Sequence, residues 1–168
     1  MRLPPHYQVY EVEIAGQRRR YLGLRLDAVQ LQDGLIRECV LGELDPSNNE
    51  LAAEDFKPNE VFLRFLGWVL SKHLREIPAL MAEVVRQGNG QVHVVDQRTR
   101  QSDGSVPPRD ILGSVEVEDG KPVRYTLSPN YELFTEDGLP QLDEDLMRFL
   151  YEELAALAKG KQPPKPPQ

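Results

Sequence analysis

The chain holds one cysteine, one tryptophan and three histidines, and it has no uninterrupted apolar run long enough to span a bilayer. Each shortage closes a class of function. A lone Cys39 cannot form an intrachain disulfide, so the disulfide-stapled secreted scaffolds drop out and a reducing, cytoplasmic setting is the expectation. The opening residues Met1 to His6 carry no apolar core of a signal peptide. The longest apolar stretch, Val61 to Leu74, is broken by Arg64, Lys72 and His73, so no membrane partner is expected. The histidines, His6, His73 and His93, share no ligand spacing, and a second cysteine is lacking; neither a structural zinc nor any other cofactor is implied.

Catalytic motifs are absent in the same way. None of the serines stands in a Gly-x-Ser-x-Gly elbow. Gly88-Asn89-Gly90 joins a helix end to a strand, the reverse of a phosphate loop, in which the anion faces a helix N-terminus. The carboxylates of Glu136 to Asp145 lack the residue order of a calcium loop. Asp119-Gly120-Lys121 has the acidic-x-Lys spacing of some metal nucleases, but it reads as a turn, whose side chains face solvent. Cys39 lies inside an apolar run and reads as a buried, inert thiol. Positive charge is also short. Twenty Lys and Arg against 27 Asp and Glu leave a net charge of −7, which argues against general nucleic-acid binding.

What is present is a globular pattern. With 168 residues, 40% hydrophobic, the expectation is one domain over residues 1–160, followed by a Pro-rich tail at 161–168 with two overlapping Pro-x-x-Pro spacings. Tyr10, Val12 and Ile14 alternate with Glu11 and Glu13, as in a half-buried strand; Ala15-Gly16-Gln17 turns the chain, and Leu22, Leu24 and Leu26 form the returning strand. Arg18-Arg19-Arg20 opens that strand and reads as a solvated edge. Val29 and Leu31, then Asp33-Gly34, then Leu35 to Leu41 suggest a second hairpin, and Gly42 to Lys57 a polar loop.

Pro58 and Asn59 start a helix with an apolar stripe from Phe62 through Ile77, with His73 on that stripe and Trp68 off it; Pro78 breaks it, and a shorter helix runs to Gly88. Val92 to Val95 reads as a strand. Ile111 to Glu118 and Val123 to Leu127 make a hairpin about Asp119-Gly120, and Tyr131 to Phe134 a further short strand. Asp143 caps a last helix with Leu146, Leu150, Leu154 and Leu157 inward. Strands, two helices, strands and a helix predict an α+β fold: a mostly antiparallel sheet built from hairpins, packed against a central helix pair and a C-terminal helix.

The segment Gln97 to Asp110 is long for a compact domain, and such loops are either functional or disordered. His93 and Asp96 flank it upstream and Arg109 and Asp110 downstream, so pairing of the flanking strands would gather Asp96, Arg98, Arg109 and Asp110 at one sheet end. Those residues, His93 and an interaction anchor at Trp68 are the candidate binding residues; no catalytic residue is assigned. Residues 91–158 hold six Lys and Arg against fourteen Asp and Glu, a net charge of −8. The functional expectation is a non-catalytic interaction or accessory domain that docks a basic protein through this acidic half. The alternatives are a small-molecule or enzymatic pocket beside residues 97–110, and a self-associating module built on Trp68 and an open strand edge.

Overall fold

The structure is a computed structural model, which describes residues 3–28, 30–32, 34–99 and 104–160. Strands β1 (Tyr7–Ile14), β2 (Gln17–Leu24), β3 (Val40–Leu44) and β4 (Lys57–Pro58) form one antiparallel sheet in that order. Strands β5 (Gly90–Val95), β6 (Ile111–Glu118) and β7 (Lys121–Leu127) form a second antiparallel sheet. Helices α1 (Glu60–His73) and α2 (Pro78–Gln87) lie between the two sheets in sequence, and α3 (Glu144–Ala158) follows them. The fold is therefore α+β, with hairpin-built antiparallel sheets as the periodicity implies.

The helix boundaries follow from local chemistry. Asn59 Oδ1 accepts from the Val61 amide at 3.1 Å, while its Nδ2 donates to the Val40 carbonyl at 2.8 Å and to that of Arg37 at 3.0 Å. One side chain thus caps α1 and ties its start to the first sheet. Pro78 occupies the first turn of α2, where its missing N–H costs nothing, and Gly88 ends that helix at φ 73°. Asp143 Oδ1 accepts from the Asp145 and Leu146 amides at 2.8 and 3.3 Å and starts α3. Phe62, Phe65, Leu66, Val69 and Leu70 of α1 and Leu146, Leu150 and Leu154 of α3 are buried. They join Leu22, Leu24, Leu41 and Leu44 of the first sheet and Val92, Val115 and Val117 of the second in one apolar cluster. Gly67 of α1 faces Leu127 of β7.

Five details depart from the sequence reading. The second hairpin is replaced by a turn through Leu31 and Gly34, a one-turn 3-10 helix at Arg37–Cys39, and β3 beginning at Val40; Val29 and Asp33 lie outside the described residues. The expected polar loop from Gly42 instead continues β3 to Leu44 and later supplies β4. Tyr131 to Phe134 forms no strand; the Glu132 and Leu133 carbonyls are taken by the Arg98 side chain and the Glu132 amide by the Arg109 carbonyl.

The fourth departure concerns which face of β1 is inward. Leu22 and Leu24, both buried, pair across with Val9 and Tyr7, and directly paired residues of an antiparallel ladder share a face. The core face of β1 is therefore Tyr7 and Val9. Tyr10, Val12 and Ile14 lie with Tyr21 on the outer face, and Ile14 is 48% exposed. Tyr10 alone is covered: its ring lies over Gly23, and its hydroxyl donates to the Leu24 carbonyl at 2.8 Å and accepts from the Leu26 amide at 3.2 Å. Arg20 is not a solvated edge charge either. It is 5% exposed and donates to the Asp45 and Asn48 carbonyls, pinning the segment after β3.

Candidate functional site

The segment after β5 and the residues before β6 meet where the sequence placed them. Asp96 leaves β5, Asp110 closes a one-turn helix that leads into β6, and the Asp96 amide donates to the Asp110 carbonyl at 2.7 Å. Arg98 stands between the two carboxylates. Its Nε donates to Asp110 Oδ1 at 2.7 Å and lies 3.6 Å from Asp96 Oδ2. Its Nη1 donates to the carbonyls of Leu133 at 2.9 Å and Gly138 at 3.2 Å, and its Nη2 to those of Arg109 at 3.1 Å and Glu132. The guanidinium has five N–H donors, and each has an acceptor.

The carboxylates are equally committed. Asp96 accepts from the Tyr131 hydroxyl at 2.7 Å, the Gln141 amide at 2.9 Å and the Arg98 amide at 3.1 Å. Asp110 Oδ2 accepts from the Thr99 hydroxyl at 2.5 Å. The Tyr131 ring packs 5.4 Å from the guanidinium carbon. Burial, and after it the Asp96 charge, pushes the Tyr131 phenol well above its ordinary range, and the same two causes raise Tyr7, whose hydroxyl donates to the Pro140 carbonyl at 2.6 Å. Asp96, Arg98 and Asp110 all have an exposure of 0%. Among the described residues, a buried cluster with every guanidinium donor engaged holds the surrounding backbone in place.

The other candidates lie apart from this cluster. The Arg109 carbonyl joins it, but the Arg109 side chain turns outward to Glu136 and Asp137, each at 3.1 Å. His93 is on the outer face of the second sheet, its Nδ1 3.1 Å from Ser114 Oγ, and it lines an open cleft of about 320 Å³ with Pro108, Glu116, Arg124 and Thr126. Neither Asp96 nor Arg109 lines that cleft. Trp68 is half-buried, stacked on Phe65 at 6.3 Å with Lys72 4.9 Å over its ring.

Sequence reasoning missed Tyr131 and the carbonyls of Glu132, Leu133 and Gly138, the largest part of the arginine's shell. Backbone acceptors leave no composition signal. It also missed a groove of about 620 Å³ on the outer face of the first sheet, lined by Val12, Ile14, Tyr21, Leu35, Val40 and Pro58 with Arg37, Glu43 and Lys57 among them. That groove exists because β1 presents its long apolar series outward.

A second ionic cluster joins α1 to α3. His73 Nδ1 is 2.7 Å from Glu76 Oε2 and Nε2 is 2.9 Å from Glu153 Oε1, while Lys72 Nζ reaches the same Glu153 oxygen at 2.7 Å. The His73 ring stacks on Phe149 at 4.2 Å. Cys39 has an exposure of 0%, and burial pushes its thiol up to about 11. Among the described residues no three His, Cys, Asp or Glu are placed to hold a metal ion, and no helix is long and apolar enough to cross a membrane. No protein-family model, curated protein or solved structure matches the chain.

Proposed function

We propose that this protein is a non-catalytic accessory module that docks a basic site on another protein through the surface of its second half. The observation that supports this reading is how the positive charge of that half is spent. Of the described cations, Arg98 is sealed inside, Arg109, Arg124 and Arg148 are each engaged by carboxylates of the same half, and Lys121 is exposed outside any salt bridge. Glu118, Glu132 and Glu144 remain exposed and enter no salt bridge among the described residues. The uncompensated charge therefore faces solvent, where it steers a complementary partner and weakens with salt.

Recovery of the full chain from its native cells at about 50 mM salt tests this. A stoichiometric basic protein is expected with the wild type and is lost with the Glu118→Lys/Glu132→Lys variant. The competing reading, a small-molecule site beside residues 97–110, has the cleft at His93 in its favour. A retained metabolite, with no protein partner at low salt, would replace the docking reading with that one.

A further inference from the structure

We infer that the outer face of the first sheet is a second docking site, of opposite charge preference, for a segment of a partner polypeptide in which apolar side chains are flanked by carboxylates. The floor is apolar across the sheet: Val12 and Ile14 from β1, Tyr21 from β2, Val40 from β3 and Pro58 from β4, with Leu35 at one side. A sheet face of this composition is ordinarily covered, because exposed apolar area of this kind is stabilised by burial. Ile14, 48% exposed, lies in it uncovered.

The charges on the groove select the occupant. Glu43 is taken by Arg19 at 3.5 Å. Arg37 and Lys57 are exposed, line the groove, and enter no salt bridge among the described residues. The local surplus is thus two cations beside an apolar floor, inside a chain whose net charge is −7. Four strands spaced about 4.8 Å apart make the groove roughly 14 Å across, room for about four residues of extended chain. A carboxylate on such a segment meets Arg37 or Lys57 without breaking a salt bridge among the described residues.

Two other occupants fit less well. A second copy across a two-fold axis would present the same patch to itself and set Arg37 and Lys57 against their own equivalents. A bilayer needs apolar side chains that protrude, whereas these line a concavity.

The test is selection of a displayed random-peptide library on the immobilised full chain, with the Arg37→Glu/Lys57→Glu variant as counter-selection. Both substituted side chains are exposed, so the fold is retained; the circular dichroism melt verifies it. Peptides combining apolar residues with Asp or Glu are expected, binding the variant at least about tenfold more weakly and losing affinity as salt rises. An empty selection, or peptides without acidic residues, or equal binding to both proteins, overturns the inference. So does a concentration-dependent dimer abolished by Ile14→Asp, which gives the face to a second copy, or co-sedimentation with anionic vesicles that the variant loses, which gives it to a membrane. The basic partner of the acidic half is tested by Glu118 and Glu132, outside this groove, so either proposal can fail alone.

Discussion

Replacing Arg98 by methionine removes the hub of the buried cluster while keeping much of its apolar stem. The loss strands two carboxylates, Asp96 and Asp110, at 0% exposure, and four backbone carbonyls lose a donor. Breaking a buried ion pair by deleting one partner costs about 3–5 kcal/mol, because the remaining charge stays desolvated. Against a total stability of roughly 5–15 kcal/mol, that is a large fraction. For a chain of this size the melting temperature falls by roughly 10 °C.

The assay is urea unfolding followed by far-UV circular dichroism and tryptophan fluorescence. The midpoint is expected to drop with the slope conserved. The triple variant Arg98→Met/Asp96→Asn/Asp110→Asn is expected to regain part of the loss, since it removes the stranded charges together with their partner. A single Arg98→Met variant within about 1 kcal/mol of the wild type would refute the reasoning, as would a triple variant no more stable than the single one.

Three further outcomes are expected. Burial acts to raise the Glu153 carboxyl, but hydrogen bonds from Lys72 and His73 outweigh it and hold the group below its ordinary value. A depressed folded-state value means its contribution is complete above the unfolded value near 4.5 and fades as pH falls through the folded one; in Glu153→Gln that acid-side slope should flatten in melts between pH 6 and 3. Gly42→Ala should destabilise by about 1–3 kcal/mol, because a Cβ there would overlap the Lys57 carbonyl and the Phe56 ring; wild-type stability in urea would show that β4 yields freely. Cys39, buried and with its thiol raised to about 11, should react with Ellman's reagent only on unfolding, and rapid labelling of the folded chain would contradict its burial.

Much of the architecture could be read from the sequence because it is written in local signals. Asn59, Pro78, Gly88 and Asp143 mark helix ends by their own hydrogen-bonding or backbone chemistry, and each does so in the structure. Asp119-Gly120 turns β6 into β7, with φ of 50° and 71°. The inward face of β1 could not be read this way. Its apolar alternation Tyr10, Val12, Ile14 is stronger than that of Tyr7 and Val9, yet pairing with Leu22 and Leu24 decides the matter, and pairing is not local.

The candidate site divides along the same line. That Asp96, Arg98 and Asp110 converge follows from two strands pairing on either side of a long connection. That the convergence is sealed depends on Tyr131 and the carbonyls of Glu132, Leu133 and Gly138, brought in from a stretch without regular structure. A sequence names charged side chains but not the backbone oxygens that come to surround them.

The guanidinium of Arg98 gives that irregular stretch a property usually reserved for sheets. Residues 131–141 have no ladder of their own beyond the Thr135–Gly138 bridge, yet the Glu132 amide donates to Arg109, the Gln141 amide to Asp96, and three of their carbonyls converge on one side chain. The three carbonyls share one cation, so moving it loosens all of them together. Coil of this kind opens with the strands rather than before them, so in hydrogen exchange its amides should keep pace with β5 and β6: a single arginine makes a loop part of the cooperative unit.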